Sequence, residues 1–488
     1  MTQPTLQQAF AKICRLVVSV YSNREVILLE LENARDLINK YLSFHANFVA
    51  NALRAQRYYI GDNYIKHRKN KKDLQEGNPN PLRNADNRIA FNFHGLLVNQ
   101  KASYIFTAPP IFDVKDDLIN TFIADTLGDA YAKKAKDLCV EASNTGVGWA
   151  HYWISKENKF KWAVVPSIQI YPIYSSMLEK ELKAVLRIYK SVDDEGNEWD
   201  ICELWNEKEC AVFKQRGEIF EPYNIFTTAG ISNKTPTNIY NHGFDEVPFI
   251  EFPNNNALTN DFNMIKDLID AYDKTYSGFV DDLEDIQEII FVLTNYEGQD
   301  LKEFLSDMKY YKAIKVSSDD ATDKSGVSTL SIEIPVEARD KLLDLTRKSI
   351  FDMGQGIDPQ QQGFDHTSGE AMKFLYSLLE LKAGLLETEF RLGFGKLIRA
   401  ICKHKGFEPK QIIQTWTRTS IRNDAELVDM CSKSVGVLSN KTILKNHPFV
   451  ENAEDEEKQL QEEQKQKQDL EDIYGKAFNG GDNIGDTE

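Results

Sequence analysis

An α+β fold with long helices is predicted by three features of the 488-residue sequence. Short β-like runs separated by turn residues dominate 90–255. A helical apolar repeat runs unbroken from Phe262 to Ile290, and a second leucine-rich helical pattern covers 367–406. Between them lies a compact stretch of alternating strand and helix character. At roughly 100–200 residues per domain the chain allows about three packing units. Its 42% hydrophobic and 27% charged residues exclude disorder for most of the length.

Taken in order, residues 1–57 read as helices, with Val26, Leu29, Leu31, Leu37, Ile38, Tyr41 and Leu42 at helical spacing. After Tyr58-Tyr59-Ile60-Gly61 comes a basic loop carrying Lys66, His67, Arg68, Lys69, Lys71 and Lys72. No aromatic residue is interleaved in that run, which favours a solvated, mobile loop over a nucleic-acid contact. A helix is expected over 115–145, ending at the small residues Gly146-Val147-Gly148. Strands follow at 149–154, 163–165, 168–174 and 185–189, divided by Pro166-Ser167 and 193–197, as in a mainly antiparallel sheet.

Thr259-Asn260-Asp261 then caps a helix expected over 259–288. Phe262, Ile265, Ile269, Tyr272, Tyr276, Phe279, Leu283 and Ile286 recur at alternating steps of three and four. That 3.5-residue period predicts lengthwise packing against near-parallel helices, along a rod of roughly 42 Å. Nine acids against Lys266 and Lys274 decorate the other faces, which reads as one long negative, solvated surface. The compact stretch is predicted as strand 289–294, helix 300–308, strand 313–316 and strand 327–334. A second helix follows Pro335 and stops at Gly354 and Gly356.

The polar segment 355–366 leads to the capping box Thr367-Ser368-Gly369-Glu370 and a third long helix over 367–406. Leu375, Leu379, Leu386, Phe390, Leu397 and Ile401, widened by Leu378, Leu381, Leu385 and Leu392, predict a broad buried face. Gly384, Gly393 and Gly395 each cost that helix about 1 kcal/mol relative to alanine, which implies close packing or a bend. A returning strand at 412–417, a helix at 423–436, a short helix near Thr442 and an acidic tail over 451–488 complete the chain. The tail reads as a solvated helix or flexible arm, disordered from Asn479 onward.

The charge balance, 58 basic against 75 acidic residues for a net of −17, excludes a protein that grips phosphate backbone by bulk attraction. Cysteines 14, 139, 202, 210, 402 and 431 form no CxxC pair, so reduced cytosolic thiols are expected, with neither a disulfide framework nor a zinc site. No stretch nears 18 uninterrupted apolar residues and no signal-peptide plan opens the chain, so neither secretion nor a membrane span is expected. Gly395-Lys396-Leu397 lacks the hydroxyl of a phosphate-binding loop, and Gly146-Val147-Gly148 lacks the third glycine of a dinucleotide fingerprint. No GxSxG or HExxH occurs. Asp281, Asp282, Glu284 and Asp285 have no further ligands nearby in sequence and read as a solvated face, not a magnesium site. No catalytic residue, metal or cofactor is therefore expected. An acidic rod repeated around a ring would instead line a channel in which a polyanion slides without sticking.

The order of local motifs resembles a tailed-bacteriophage portal protein of the siphophages of Gram-positive hosts. Tyr58-Tyr59-Ile60-Gly61, the run from Lys101-Ala102-Ser103-Tyr104 to Pro109, and Gly146-Val147-Gly148-Trp149-Ala150 with Ile170-Tyr171-Pro172 resemble that family's wing. Val247-Pro248-Phe249-Ile250-Glu251-Phe252 with Asn254-Asn255-Asn256, then Leu268-Ile269-Asp270-Ala271-Tyr272-Asp273, resemble its most recognisable stretch. Ser368-Gly369-Glu370-Ala371-Met372-Lys373 resembles the start of its long helix. The resemblance covers about 50–470. It departs at Asn63, where a histidine is often found, and at Phe106-Thr107-Ala108, which replaces leucine-glycine-lysine.

The resemblance implies a ring, usually of twelve subunits. It would place N-terminal helices at 1–57, a wing at 58–258 with a returning strand over 410–422, a stem helix at 259–288, and a clip at 289–334. A second stem helix at 335–354, a tunnel loop at 355–366, a long wing/crown helix at 367–406, a helical crown at 423–450 and an acidic tail would follow. The implied role is a DNA-conducting channel at one capsid vertex, assembled in the host cytoplasm and carried in the virion. Implied partners are double-stranded DNA without sequence specificity, terminase, major capsid and scaffolding proteins, and head-completion or tail connector proteins. Expected contacts follow by position: Gln360, Gln361, Gln362 and His366 toward DNA, and Asp281, Asp282 and Asp285 toward the channel or a neighbouring subunit. Asp300, Lys302, Glu303 and Asp307 would meet partners at the clip. Two other classes fit the bare sequence less well: an intracellular coiled-coil scaffold, and a nucleic-acid-processing enzyme.

Overall fold

The computed structural model describes residues 24–69, 85–175, 178, 180–224, 238–285, 290–294, 326–330, 335–360, 369–418, 424–450, 453 and 456–466. Two compact units emerge, one of Met1–Asp358 with Leu378–Arg418, the other of Pro359–Ser377 with Thr419–Glu488. The first opens with α1 (Arg24–Tyr59), a single 36-residue helix where the sequence suggested several. Ile38 and Tyr41 of α1 pack on Ile173, Ala184, Leu186, Cys202, Ala211 and Phe213 of a sheet. Farther along, Ala55 and Tyr58 join a different cluster with Phe262, Ile265 and Ile269. One rod therefore touches two cores.

Next come α2 (Phe93–Ile105), β1 (Ile111–Asp113), α3 (Asp117–Leu127) and α4 (Tyr131–Thr145). The helix expected over 115–145 is thus two, because Gly128 turns the chain at φ 71°. Gly146, at φ 94°, ends α4, and a Cβ there would lie 2.2 Å from the Leu258 carbonyl oxygen. No side chain fits that position.

Two antiparallel sheets follow. β2 (Val147–Ile154), β3 (Phe160–Val165) and β10 (Phe249–Pro253) form one in the order β10-β2-β3. β4 (Ile170–Tyr174), β5 (Leu182–Val192), β6 (Glu198–Trp205), β7 (Glu209–Arg216) and β8 (Ile219–Pro222) meander through the other, with β9 (Ile239–Asn241) also pairing β7. The predicted antiparallel region is present, and β13 (Ile413–Thr415) returns to pair β1.

α5 (Lys266–Asp285) and α6 (Val336–Gly354) pack against each other. The antiparallel pair of β11 (Ile290–Thr294) and β12 (Gly326–Leu330) lies between them in sequence. The helix expected from 259 starts at Lys266, since 259–265 form turns in which Asn260 accepts a hydrogen bond from the Asn263 amide. The strand and helix expected at 300–316 lie outside the described residues. α7 (Gly369–His404) brings Leu386, Phe390, Phe394, Leu397 and Ile401 onto Ala150, Tyr152, Ile250 and Phe252 of the three-stranded sheet. Leu378, Leu381, Leu385 and Leu392 do not widen that buried face; all four are exposed, because the sheet covers only one side of the helix. In the second unit α8 (Asp424–Lys433) contacts α9 (Asn440–Asn446), and 456–466 are helical.

The glycines of α7 differ in purpose. A Cβ on Gly393 would meet the Phe252 ring at 2.6 Å, whereas nothing lies within 4 Å of one on Gly384. Gly393→Ala is therefore expected to destabilise the chain by about 1–3 kcal/mol through overpacking, while Gly384→Ala gains up to about 1 kcal/mol of helix propensity. Thermal unfolding of the two full-length variants checks this; equal shifts of one sign would contradict the packing difference.

Candidate functional site

Five elements converge on one carboxylate just before α5, most by their ends and α7 by its middle. Lys101 of α2, with a side chain only 1% exposed, donates to Asp261 Oδ2 at 2.8 Å, to Ser143 Oγ of α4 at 3.0 Å and to Asn254 Oδ1 beyond β10 at 2.5 Å. Lys382 of α7 lies 3.2 Å from the same Asp261 oxygen and donates to the Gly354 carbonyl at the end of α6 at 2.8 Å. Asn254 Nδ2 donates to Asp261 Oδ1 at 2.9 Å, and the Asp261 amide donates to the Ser143 carbonyl. Burial alone would raise the Asp261 carboxyl, but the two lysines and Asn254 hold it well below the usual carboxylate range. Next to it His94, 2.8 Å from Asn144 Oδ1, is pushed by burial down to about 4 and stays neutral. A buried ion pair persists only when its remaining donors and acceptors are satisfied. Here two cations share one anion and its neighbours take up the rest.

A second polar seam runs along α5. Asp273, Ser277 and Asp281 recur once per turn and are all buried. The Asn87 amide donates to Asp281 Oδ1 at 2.6 Å, the Ile89 amide to Ser277 Oγ at 3.0 Å, and the Phe91 amide to Asp273 Oδ1 at 2.9 Å. Four helical residues rise about 6 Å and two extended residues about 6.6 Å, so alternate amides of the 85–91 segment meet successive turns. Asn63 donates to Asp273 Oδ2 at 2.6 Å and to the Phe91 carbonyl. Tyr58 donates to Asp270. Of the acids expected to form a solvated face, Asp273 and Asp281 are thus internal fastenings, while Asp267 and Glu284 are exposed as expected.

Asp281, expected toward the channel or a neighbouring subunit, is buried within the chain, its carboxylate taken up by Asn87, with Arg68 at 3.8 Å. Asp282 pairs with Arg339 of α6, and Asp285 closes α5. Phe262, Ile265, Ile269 and Tyr272 are buried with Ile350 and Phe351 of α6. Tyr276 and Phe279 are half-buried, and Leu283 is exposed. Ile286, Asp300, Lys302, Glu303 and Asp307 lie outside the described residues. The start of the basic run is tied to the fold's surface: half-buried Arg68 donates to Asp86 and to the Asn87 carbonyl, and exposed Lys66 to the Gly61 carbonyl.

The polar segment after α6 has a tightly held root. Gln100 donates to the Ile357 carbonyl at 2.7 Å and accepts from its amide at 3.1 Å, and Arg347 forms a two-pronged ion pair with Asp358 at 2.9 and 2.7 Å. A Cβ on Gly356 would sit 2.1 Å from Leu97 Cδ2. Gln360 is exposed, while Gln361, Gln362 and His366 lie outside the described residues.

Elsewhere a cavity of ≈ 300 Å³ between the two sheets is lined by His151, Arg187, Glu203, Trp205 and His242 among others. Its charges pair with each other, Arg187 to Glu203 at 3.3 Å, and burial lowers His151 to about 3. Among the described residues no group of side chains could hold a metal ion, and no helix is long and apolar enough to cross a membrane. The described cysteines are free and buried, and burial raises the Cys139 thiol to about 11.

Sequence reasoning missed Lys101, Lys382 and Asn254 as a constellation. Lysine and asparagine give no local sign of burial; the one available clue was that Lys101 and Asn254 fall inside the recognisable motifs.

Charged and amide side chains thus fasten helices, strands and an extended segment to one another. Comparison with known proteins gives the class. The chain belongs to the family of phage portal proteins described as SPP1 Gp6-like, whose family model matches residues 38–470, and it is a structural, non-enzymatic protein of that family. It is 41% identical over 452 residues to the portal protein of Clostridium phage phiCD119, spanning 90% of this chain and 97% of that one. It is 29% identical over 429 residues to the portal protein of Bacillus phage SPP1, spanning 85% and 84%. A solved neck of the native gene transfer agent particle shares 11% identity at a TM-score of 0.34, over 72% of this chain and 88% of that one, a likeness too distant to define the fold.

Replacing Asp261 with asparagine leaves two buried lysines without a counter-charge, and about 3–5 kcal/mol of stability should be lost. Denaturant unfolding of the full chain reads it, with exposed Asp267→Asn as the control that changes little. Because Asp261 is depressed in the fold, its contribution is complete above about pH 4 and is withdrawn as pH falls below that.

Asp273 behaves oppositely. Burial outweighs its two hydrogen bonds and raises it from 3.8 to about 6, so its carboxyl favours the fold most below about pH 4 and that advantage is lost as pH rises to 6, a change of up to about 3 kcal/mol. Melting temperature followed from pH 4 to 6 should fall in the wild type relative to Asp273→Asn; parallel curves would contradict this.

Proposed function

We propose that copies of this chain, about twelve, close into a ring at one capsid vertex and form the channel through which double-stranded DNA enters and leaves the head. The observation that carries this reading is the family match over 38–470, which takes in the α5–α6 pair, the strands joining it and the rooted segment after Asp358. The net charge of −17 per chain supports it, because a polyanion passes an acidic wall without being held. No sequence-specific contact is needed for that role.

The α5–α6 pair would be the stem, β11 and β12 part of the clip, and 355–366 the tunnel loop. Anchoring by Gln100 and Arg347 fixes where that loop leaves the subunit, and this supports Gln360–Gln362 and His366 as the residues that approach DNA. Asp282 and Asp285 remain candidates for the channel wall or the neighbouring subunit. Asp300, Lys302, Glu303 and Asp307 would meet terminase during packaging and head-completion or tail connector proteins afterwards. Capsid and scaffolding proteins would surround the ring, which assembles in the host cytoplasm and stays in the virion.

Light scattering of the purified chain with images of the same sample tests this. Rings near twelve times the 55.9 kDa chain, with a central hole, are expected. Small dimers joined through 260–290 would overturn it in favour of a coiled-coil scaffold, and rings whose bore lies far from Gln360–Gln362 would remove the DNA contact assigned there.

A further inference from the structure

The acidic balance of the chain reverses across the end of α7. Residues 155–161, which turn from β2 into β3, hold three lysines against Glu157, and residues 396–410, in the last turns of α7 and just beyond, hold four lysines and Arg399 against Glu408. All eight cations are exposed. Packing brings the two segments together, for His404 donates to the Asn158 carbonyl at 3.2 Å. Half-buried Lys134 of α4 adds a ninth cation, donating to the Trp162 carbonyl at 2.7 Å with its ammonium 4.3 Å from the centre of that residue's ring. Burial and the nearby Lys161 lower its pKa. Like charges this close repel, so the island costs the free chain and an anionic partner relieves it.

One end of the island is concave. A cavity of ≈ 500 Å³ opens where α7 passes β10 and the segment leading to β13, and Lys396, Arg399 and Lys410 line it with Glu251 and Glu389. Glu251 is taken up by Tyr174 at 2.6 Å and Lys396 at 3.6 Å, and Arg391 by Glu387. Arg399 and Lys410 are left facing Glu389, and neither cation forms an ion pair among the described residues. Several of the charged ends are already positioned: Arg399 donates to the Pro409 carbonyl at 3.1 Å, Lys403 to the Phe244 carbonyl at 3.0 Å, and Lys405 lies 4.9 Å from the Phe122 ring. Less ordering entropy is lost when such groups bind.

We infer that this island docks a short acidic segment of a partner protein, with one carboxylate received by Arg399 and Lys410 in the cavity and others along the lysines toward the β2–β3 turn. This goes beyond the ring reading and does not depend on it. From Lys396 to Lys405 the helix rises about 14 Å, the span of about four extended residues, so a short segment lies wholly over positive surface. A DNA duplex fits less well. It carries about eight charges in that length and continues past both ends, over a chain that is otherwise acidic, and screening within about 8 Å confines the island's attraction to its own neighbourhood.

Fluorescence anisotropy of a labelled peptide of about ten glutamates against the full chain, at about 0.15 M salt, tests the inference. Saturable binding is expected, and none with the glutamine version of the same peptide. Lys156→Glu, Lys159→Glu and Lys410→Glu together should weaken binding about tenfold or more. These three side chains hold no hydrogen bond or ion pair among the described residues, so circular dichroism and melting temperature should stay those of the wild type. Arg399→Gln should weaken binding through the cavity alone. Lys40→Glu, Lys341→Glu and Lys348→Glu together make the same charge change elsewhere and should leave binding within about twofold. Equal losses in the two triple variants, no binding of the glutamate peptide, or tighter binding of a DNA duplex of about 20 base pairs that the island variant abolishes would each overturn the inference.

Discussion

Asp261 is where the fold is tied together. Its carboxylate takes Lys101 from α2 and Lys382 from α7, and through those lysines and Asn254 it reaches α4, the strand β10 and the last carbonyl of α6. Each partner would be costly to bury alone, since an unpaired charge in a low-dielectric interior loses its hydration without replacement. Together they are satisfied in one geometry. That geometry sits in the turn that leads into α5 at Lys266.

From that origin α5 is held on two sides. Phe262, Ile265, Ile269 and Tyr272 pack with α6 and the end of α1. Asp273, Ser277 and Asp281 grip the amides of 87–91. The hydrophobic effect is non-directional, whereas three amides spaced along the helix must each meet their own acceptor, so the seam adds a directional constraint on register. The root of the following segment is equally fixed, by Gln100 and Arg347. A subunit of this family built to hold its shape has reason to spend its acids this way.

The acidic residues of α5 show how far sequence reading carries. Their number was plain, and a run of acids on a helix is usually solvated. Yet Asp273 and Asp281 are buried, because an extended segment nearly two hundred residues away in sequence brings backbone amides to them. Leu378, Leu381, Leu385 and Leu392 fail in the reverse direction. A helix pattern marks them as core, but only the opposite side of α7 meets a sheet, and the stripe is left exposed. Both errors arise because burial belongs to what lies across from a residue.

By itself the sequence determined the α+β class, the long helices, the antiparallel sheets and the family, since periodicity, turn residues and motif order are local properties that survive in one dimension. It also showed that Gly393 needed an explanation. What only the tertiary structure decided is which charges fasten the fold and which face outward. Lys101, Asn254, Asp261 and Lys382 are far apart in the chain, and no local pattern states that they meet. Their pairing exists only once packing removes water from between them, and the strength of that pairing comes from the same removal.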